Sequence, residues 1–257
     1  MKPVWRLLID GPVDGALNMA LDRAALQARD DGAVAPTLRL YGWARPTVTI
    51  GRFQGAEGVD RDYCAAEGID VVRRPTGGRG VLHDDEVTYA LIASADDGIP
   101  RGVAASYRHL SAALAEAYRL LGVDAALVHH DRTDTATAAC YLSTTRADLS
   151  LGPLKLSGSA QVWSGATVLQ HGSFTRSRDI GREARAFMLD TECAQRLARQ
   201  TVTLDQALGE APETPRITQA VVDAFGQILD VDLRLGSWTA HESELARAAL
   251  ASTRVCS

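Results

Sequence analysis

Arg73-Arg74-Pro75-Thr76-Gly77-Gly78-Arg79-Gly80-Val81-Leu82-His83-Asp84 is the stretch on which the reading of this chain turns. It follows Ile69 to Arg73, a short β-branched run that reads as a strand. Adjacent glycines let a backbone pass close to a ligand and present N–H groups to an anion. Three arginines around them supply charge suited to a phosphate or a carboxylate. The spacing is neither that of a Walker A loop nor that of a GxGxxG dinucleotide loop. On these residues alone, a ligand-binding loop and a glycine-rich hairpin with solvated arginines both remain open.

Outward from the loop, hydrophobic periodicity places the elements. Asp14 is positioned to cap a helix running to about Arg29, with Leu17, Ala20, Leu21, Ala24 and Ala28 on one face. Thr37 to Tyr41, Thr47 to Ile50 and Val87 to Ala93 read as strands, and Asp60 to Glu67 as a short helix stopped by Gly68. Ser106 to Leu121 is a helix with a stripe of Tyr107, Leu110, Leu114, Tyr118 and Leu121. Ala147 to Leu151, Leu154 to Gln161 and Ala166 to His171 read as three strands of a meander, separated by turns at Gly152-Pro153 and Ser164-Gly165. From about Arg182 the pattern is helical, with helices at Ile217 to Leu229 and Ser243 to Ala251 and a linker over Gly209 to Pro215. The expected architecture is α+β: residues 1–210 as a catalytic-sized domain of mixed and antiparallel sheets packed with helices, and residues 211–257 as a short helical C-terminal appendage.

The chain has 257 residues, 46% of them hydrophobic and 23% charged, with a net charge of −5. That suffices for one large core. It gives no global reason to expect nucleic-acid or membrane-surface binding. No stretch has the roughly 20 apolar residues of a membrane span, and the N-terminal apolar run is too short and too soon charged for a signal peptide. A cytoplasmic location and a monomer are expected.

The four cysteines, Cys64, Cys140, Cys193 and Cys256, form no CxxC pair and have no histidine at metal-ligand spacing. No metal site is expected, and His129-His130-Asp131 lacks a third ligand at a defined spacing. Of 27 basic residues only Lys2 and Lys155 are lysines. In so arginine-rich a chain, a lone interior lysine points to a need for a compact ammonium.

Three motifs in order now point to a family. The loop resembles the RRxTGG…H signature of the biotin/lipoate protein ligase and lipoyl transferase superfamily. Gly152-Pro153-Leu154-Lys155-Leu156-Ser157-Gly158-Ser159-Ala160-Gln161 resembles the G-x-K-[IL]-x-G-[SN]-A-Q strand pair of its lipoate branch, and Val168-Leu169-Gln170-His171-Gly172-Ser173 the hairpin that follows. The segments Asn18 to Asp22 and Thr47 to Gln54 also fit, so the resemblance covers nearly the whole chain. It implies the biotin/lipoate ligase catalytic fold, with Arg73, Thr76, Gly77, Gly78, Arg79, His83, Gly158, Ser159, Ala160 and His171 around the substrate. His83 would shape the acyl pocket or orient loop groups; a plain structural histidine is the alternative.

Two chemistries occur in that superfamily. Ligases activate a free acid with ATP and Mg²⁺; octanoyltransferases use a cysteine acyl-enzyme and need no cofactor. Ligases usually carry Gly-Gly-Gly where this chain has Gly77-Gly78-Arg79. The run Ala138-Ala139-Cys140-Tyr141 resembles the A-A-C-F segment of the cysteine octanoyltransferases, with Tyr in place of Phe. Cys140 also lies fifteen positions before Lys155, the spacing those enzymes show. A cation beside a thiol favours the nucleophilic thiolate. The resemblance therefore implies Cys140 and Lys155 as the catalytic pair. It also implies transfer of an octanoyl group from octanoyl-acyl carrier protein to the lysine of a lipoyl domain, such as glycine cleavage H protein or a 2-oxoacid dehydrogenase E2. An ATP-dependent lipoate–protein ligase, a cysteine amidotransferase between lipoyl domains, and an acyl-binding protein without turnover are the alternatives. Arg73, Arg74 and Arg79 are candidates to steer an acidic carrier.

Overall fold

The computed structural model describes residues 1–127, 139 and 148–255. Its first half comprises strand β1 (Val4–Val13), helix α1 (Gly15–Asp30), strands β2 (Thr37–Trp43) and β3 (Thr47–Ile50), helix α2 (Arg61–Ala66), strands β4 (Asp70–Arg73), β5 (Val81–His83) and β6 (Glu86–Ser94), and helix α3 (Val103–Leu121). There follow β7 (Ala126–Leu127), β8 (Leu149–Leu151), β9 (Leu154–Ser157), β10 (Ser159–Ser164) and β11 (Thr167–Thr175). The chain then continues through helices α4 (Ile180–Ala186), α5 (Thr191–Gln200), α6 (Leu204–Leu208) and α7 (Thr214–Ile228), strand β12 (Asp232–Leu235) and helix α8 (Ala240–Thr253).

A six-stranded mixed sheet runs in the order β10-β11-β6-β2-β1-β12. β1 is parallel to both its neighbours; the other pairings are antiparallel. All nine residues of β6 are buried, because helices cover both faces of the sheet. Strand periodicity sends alternate side chains to opposite faces. Val87, Tyr89, Leu91 and Ala93 join α3 and α7 in one core, whereas Ala90 and Ile92 meet Ala16, Met19, Ala25 and Leu26 of α1 in another. α8 covers the outer side of α1, where Ala20, Ala24 and Ala246 let the two helices approach closely. The expected stripe on α3 is wholly buried. This mixed sheet packed against helices bears out the α+β expectation.

Two smaller sheets carry the motifs. β3 lies between β4, its parallel partner, and β5, its antiparallel one. β7, β8 and β9 form an antiparallel ladder. The expected three-strand meander needs correction here. The strand read as Leu154 to Gln161 breaks at Gly158, so β9 pairs with β8 in the small sheet while β10 pairs with β11 in the large one. A chain that leaves one sheet for another must interrupt its ladder, and Gly158 is the interruption.

Two strands depart from the sequence expectation: the apolar N-terminal run is β1, and β12 interrupts the segment expected to be wholly helical. β12 is only four residues long, half-exposed and without alternation, so no periodic signal marks it. The segment 211–257 supplies that strand to the edge of the large sheet, and its Ile217, Ala220, Val221, Ala224 and Phe225 belong to the same core as β6 and α3. No helix among the described residues is long and apolar enough to cross a membrane.

Candidate active site

The glycine loop joins β4 to β5 and folds back over the end of β3. Gly51, just past β3, is where the backbones touch: a Cβ there would sit 2.0 Å from the Gly78 carbonyl oxygen. Gly78 itself has φ +94°, a conformation that only glycine adopts cheaply. Arg52 N–H donates to Thr76 O (2.8 Å) and Arg74 N–H to Ile50 O (3.0 Å), so loop and strand are stitched together. By contrast, among the described residues no atom other than those of its chain neighbours lies within 4 Å of where a Cβ on Gly77 would be.

Arg74 is not a surface charge. It is 5% exposed. Its Nη2 donates to Gly77 O and Arg79 O, both at 2.7 Å, and its Nε to Thr76 Oγ1 at 3.1 Å. Arg73 is half-buried, and its Nη1 donates to the carbonyls of Gly51, Arg52 and Gln54 at 2.9, 3.2 and 2.7 Å. Burial thus removes Arg74 from any patch that could steer an acidic carrier, and Arg73 braces the turn after β3. Arg79 is half-buried.

The two motif histidines lie on either side of the loop. His83, on β5, places Nε2 2.9 Å from Thr49 Oγ1 and Nδ1 2.8 Å from Glu86 Oε1, and it stacks on Trp43 at 4.2 Å. Glu86 Oε1 also accepts from Ser173 Oγ, Thr88 Oγ1 and Trp43 Nε1. Burial opposes ionisation of Glu86, but His83 and these donors outweigh it and hold the carboxyl below its usual range. His171, on β11, places Nε2 2.7 Å from Thr76 Oγ1 and Nδ1 2.9 Å from Asp22 Oδ2. Asp22 also accepts from Tyr41 and from the fully buried Arg39. Burial pushes the Asp22 carboxyl up, yet the His171 hydrogen bond and the Arg39 charge bring it below the usual range. Burial lowers the His171 pKa even against the pull of Asp22.

Lys155, on β9, lies 3.0 Å from Asp148, and the two side chains are 3% and 2% exposed. Gly158 adjoins this pair: a Cβ there would lie 3.6 Å from Lys155 Nζ. Ser159 is half-buried; its amide and carbonyl both bond the Tyr107 hydroxyl, and its Oγ meets Tyr89. Ala160 pairs with His171 across β10 and β11. The third motif and the glycine loop are therefore joined through His171 and Thr76. Ala139 makes a parallel bridge with Gly80. The next residue, Cys140, lies outside the described residues, as do His129, His130, Asp131 and Cys256.

Cys64 is a core residue whose thiol burial pushes up to about 11. Cys193 lies on α5, its thiol likewise raised. Among the described residues no group of three His, Cys, Asp or Glu could hold a metal.

Sequence reasoning missed four carboxylates here: Asp22, Glu86, Asp148 and Glu183. Asp22 did leave a trace, since Asn18 and Asp22 stand four apart on the face that α1 buries. Asp148 left none. Glu183, on α4, is buried beside Arg178 at 3.4 Å, its Oε1 has no hydrogen-bond partner among the described residues, and burial pushes its carboxyl up.

Residues 14–226 match the lipoyl protein ligase A/B catalytic domain, and the chain belongs to that family. Among solved structures, a lipoate-protein ligase A bound with ATP superposes with a TM-score of 0.81 at 24% identity, covering 98% of this chain and 95% of its own. A chain from the structure of a bi-partite lipoate protein ligase and its E2 lipoyl domain from Thermoplasma acidophilum gives 0.78 at 22%, covering 98% and 93%. At these identities the likeness shows the fold.

Within the family, the curated relatives narrow the placement. Octanoyltransferase LipM of Kyrpidia tusciae is 37% identical over 260 residues, covering 96% of this chain and 95% of its own. That of Moorella thermoacetica is 37% identical over 248 residues, covering 93% and 91%.

Proposed function

We propose that the chain is an octanoyltransferase of protein lipoylation that carries the acyl group as a thioester on Cys140. The observation that carries this reading is the Gly80–Ala139 bridge. It ties the residue ahead of Cys140 to the glycine loop. The near full-length likeness to octanoyltransferases supports it. So does the burial of the lone interior lysine beside Gly158.

In this reading the Cys140 thiolate attacks the octanoyl thioester on acyl carrier protein. The carbon–sulfur bond to the carrier arm breaks, and the arm leaves as a thiol after taking a proton. The amine of a lipoyl-domain lysine then attacks the enzyme thioester, loses a proton and forms the amide, which regenerates the thiolate. Amide formation from a thioester runs downhill, so the reaction uses neither ATP nor Mg²⁺. Lys155 supplies positive charge for the thiolate and for the developing oxyanion. Asp148 holds the ammonium in place. Glycine cleavage H protein and 2-oxoacid dehydrogenase E2 are the acceptors proposed.

Intact mass after mixing with octanoyl-acyl carrier protein, without ATP, tests the proposal. The expected result is a gain of one octanoyl group that Cys140→Ala abolishes. Lipoyl-domain modification that needs a free acid with ATP and Mg²⁺, and survives Cys140→Ala, overturns it in favour of a ligase.

A further inference from the structure

Two buried chains of hydrogen bonds end on one guanidinium. On one side Asp22, His171 and Thr76 stand in line, and Thr76 Oγ1 accepts from Arg74 Nε. On the other, Glu86, His83 and Thr49 repeat the order, and Thr49 Oγ1 meets Arg74 Nη1 at 3.3 Å. A carboxylate only accepts, so each histidine donates from Nδ1, and in its neutral form the ring turns the lone pair of Nε2 towards a threonine. Each hydroxyl then donates to its histidine and offers its oxygen to Arg74. The direction of both hydroxyls is fixed from behind, as second partners fix the ring of a metal-bound histidine.

We propose that these two carboxylate–histidine–threonine chains are a paired positioning device for the glycine loop, with Arg74 as their common receiver. The inference rests on reading that loop as part of the acyl-transfer site. Arg74 passes the constraint on, because its Nη2 holds the carbonyls of Gly77 and Arg79. The Gly77–Gly78 peptide is trans. A Gly77 carbonyl drawn to Arg74 therefore turns the Gly78 N–H to the opposite side, away from the guanidinium. Amides whose direction is set before the substrate arrives stabilise a developing oxyanion without reorganising. This also explains arginine at position 74. Its planar fork reaches two hydroxyls and the carbonyls of Thr49, Gly77 and Arg79 at once, whereas an ammonium is a point charge. His83 and His171 act through Arg74 and are positioning residues.

Thr76→Val and Thr49→Val test the device, since valine keeps the branched shape and loses the hydroxyl. Two readouts are taken: the rate of acyl-enzyme formation at varied octanoyl-acyl carrier protein, and amide hydrogen exchange of residues 76–80. Each variant is expected to slow acylation at saturating donor and to speed loop exchange, both by roughly ten- to a hundredfold, the range for a hydrogen bond to a charged group. The KM for donor should stay within about twofold, and exchange in β6 and β11 should be unchanged.

Adding Thr76→Val to Arg74→Lys should change neither readout further, because the receiver is already lost. If Arg74→Lys does not fold, the double variant Thr49→Val/Thr76→Val decides. Coupling through one group makes its effect differ from the product of the single effects, and a simple product overturns the proposal. Unchanged loop exchange in both single variants also overturns it. Should the parent enzyme form no acyl-enzyme at all, the transferase reading is what fails, and hydrogen exchange alone then decides the positioning device.

Discussion

Replacing Gly51 with alanine should disable the site through a single methyl group. A Cβ at this position would stand 2.0 Å from Gly78 O, 3.0 Å from Gly78 C and 3.2 Å from Gly77 C. The atoms it meets are backbone, so no flexible side chain can swing aside. Relief requires the loop and β3 to separate by about 1.5 Å, roughly the difference between 2.0 Å and an ordinary contact. The bonds from Arg52 to Thr76, from Arg74 to Ile50 and from Arg73 to Gly51 all resist that movement. Overpacking of this kind costs about 1–3 kcal/mol, which for a chain of this size lowers Tm by roughly 2–12 °C. A displacement of only about 1 Å in a catalytic loop already costs on the order of a hundredfold in rate.

Gly77→Ala is the internal control. Among the described residues beyond its chain neighbours its Cβ meets nothing within 4 Å, and its φ is not positive, so stability should change by less than about 0.5 kcal/mol. Calorimetry and the rate of acyl-enzyme formation give both numbers. If Gly51→Ala retains the parent rate and Tm, or if Gly77→Ala is equally destabilising, the loop geometry argued above is wrong. If Gly77→Ala is stable but slow, a ligand occupies the space beside Gly77.

Two further outcomes follow from the buried charges. Asp148→Asn leaves the Lys155 ammonium buried without its carboxylate, and it should destabilise the protein by about 3–5 kcal/mol and slow acylation; urea unfolding within about 0.5 kcal/mol of the parent would show that the pair is not needed. His171 faces Asp22, Arg74 and His83, with Arg39 behind Asp22, and its pKa is lowered by burial. Just below the unfolded histidine pKa of about 6.5, the unfolded chain therefore binds more protons than the folded one, and stability should fall as pH drops through that window. Asp22 and Glu86 are held below their usual range, so their contribution persists at mild acidity and is lost only at more acid pH. Urea unfolding at pH 8, 6.5 and 5.5 checks the sign, and His171→Gln should flatten the slope; an equal slope in that variant would assign the pH dependence to other groups.

Much of the site was legible because its signals are local. Gly77-Gly78 is a backbone requirement written into neighbouring positions. Lys155 stood out against 25 arginines. The α3 stripe follows from a period of 3.6 and was recovered residue for residue. The break at Gly158 was not legible, because Leu154 to Gln161 has the composition of one strand and only pairing with two different sheets divides it. Nor was β12, which has too few residues to show a period.

The charges mark the sharper boundary. By itself the sequence determined the α+β class, the family-level motifs and which residue types gather near the loop, since helix and strand periods and glycine geometry act over a few positions. Only the tertiary structure decided what the arginines do. Arg73, Arg74 and Arg79 read alike as a basic cluster, yet Arg74 is buried as the hub of the loop because Thr49 and Thr76 arrive on either side of it. Tertiary structure likewise assigned each histidine its carboxylate. His171 meets Asp22 across 149 positions and Thr76 across 95, and no local spacing records a contact made when β11 lies beside α1 and the loop.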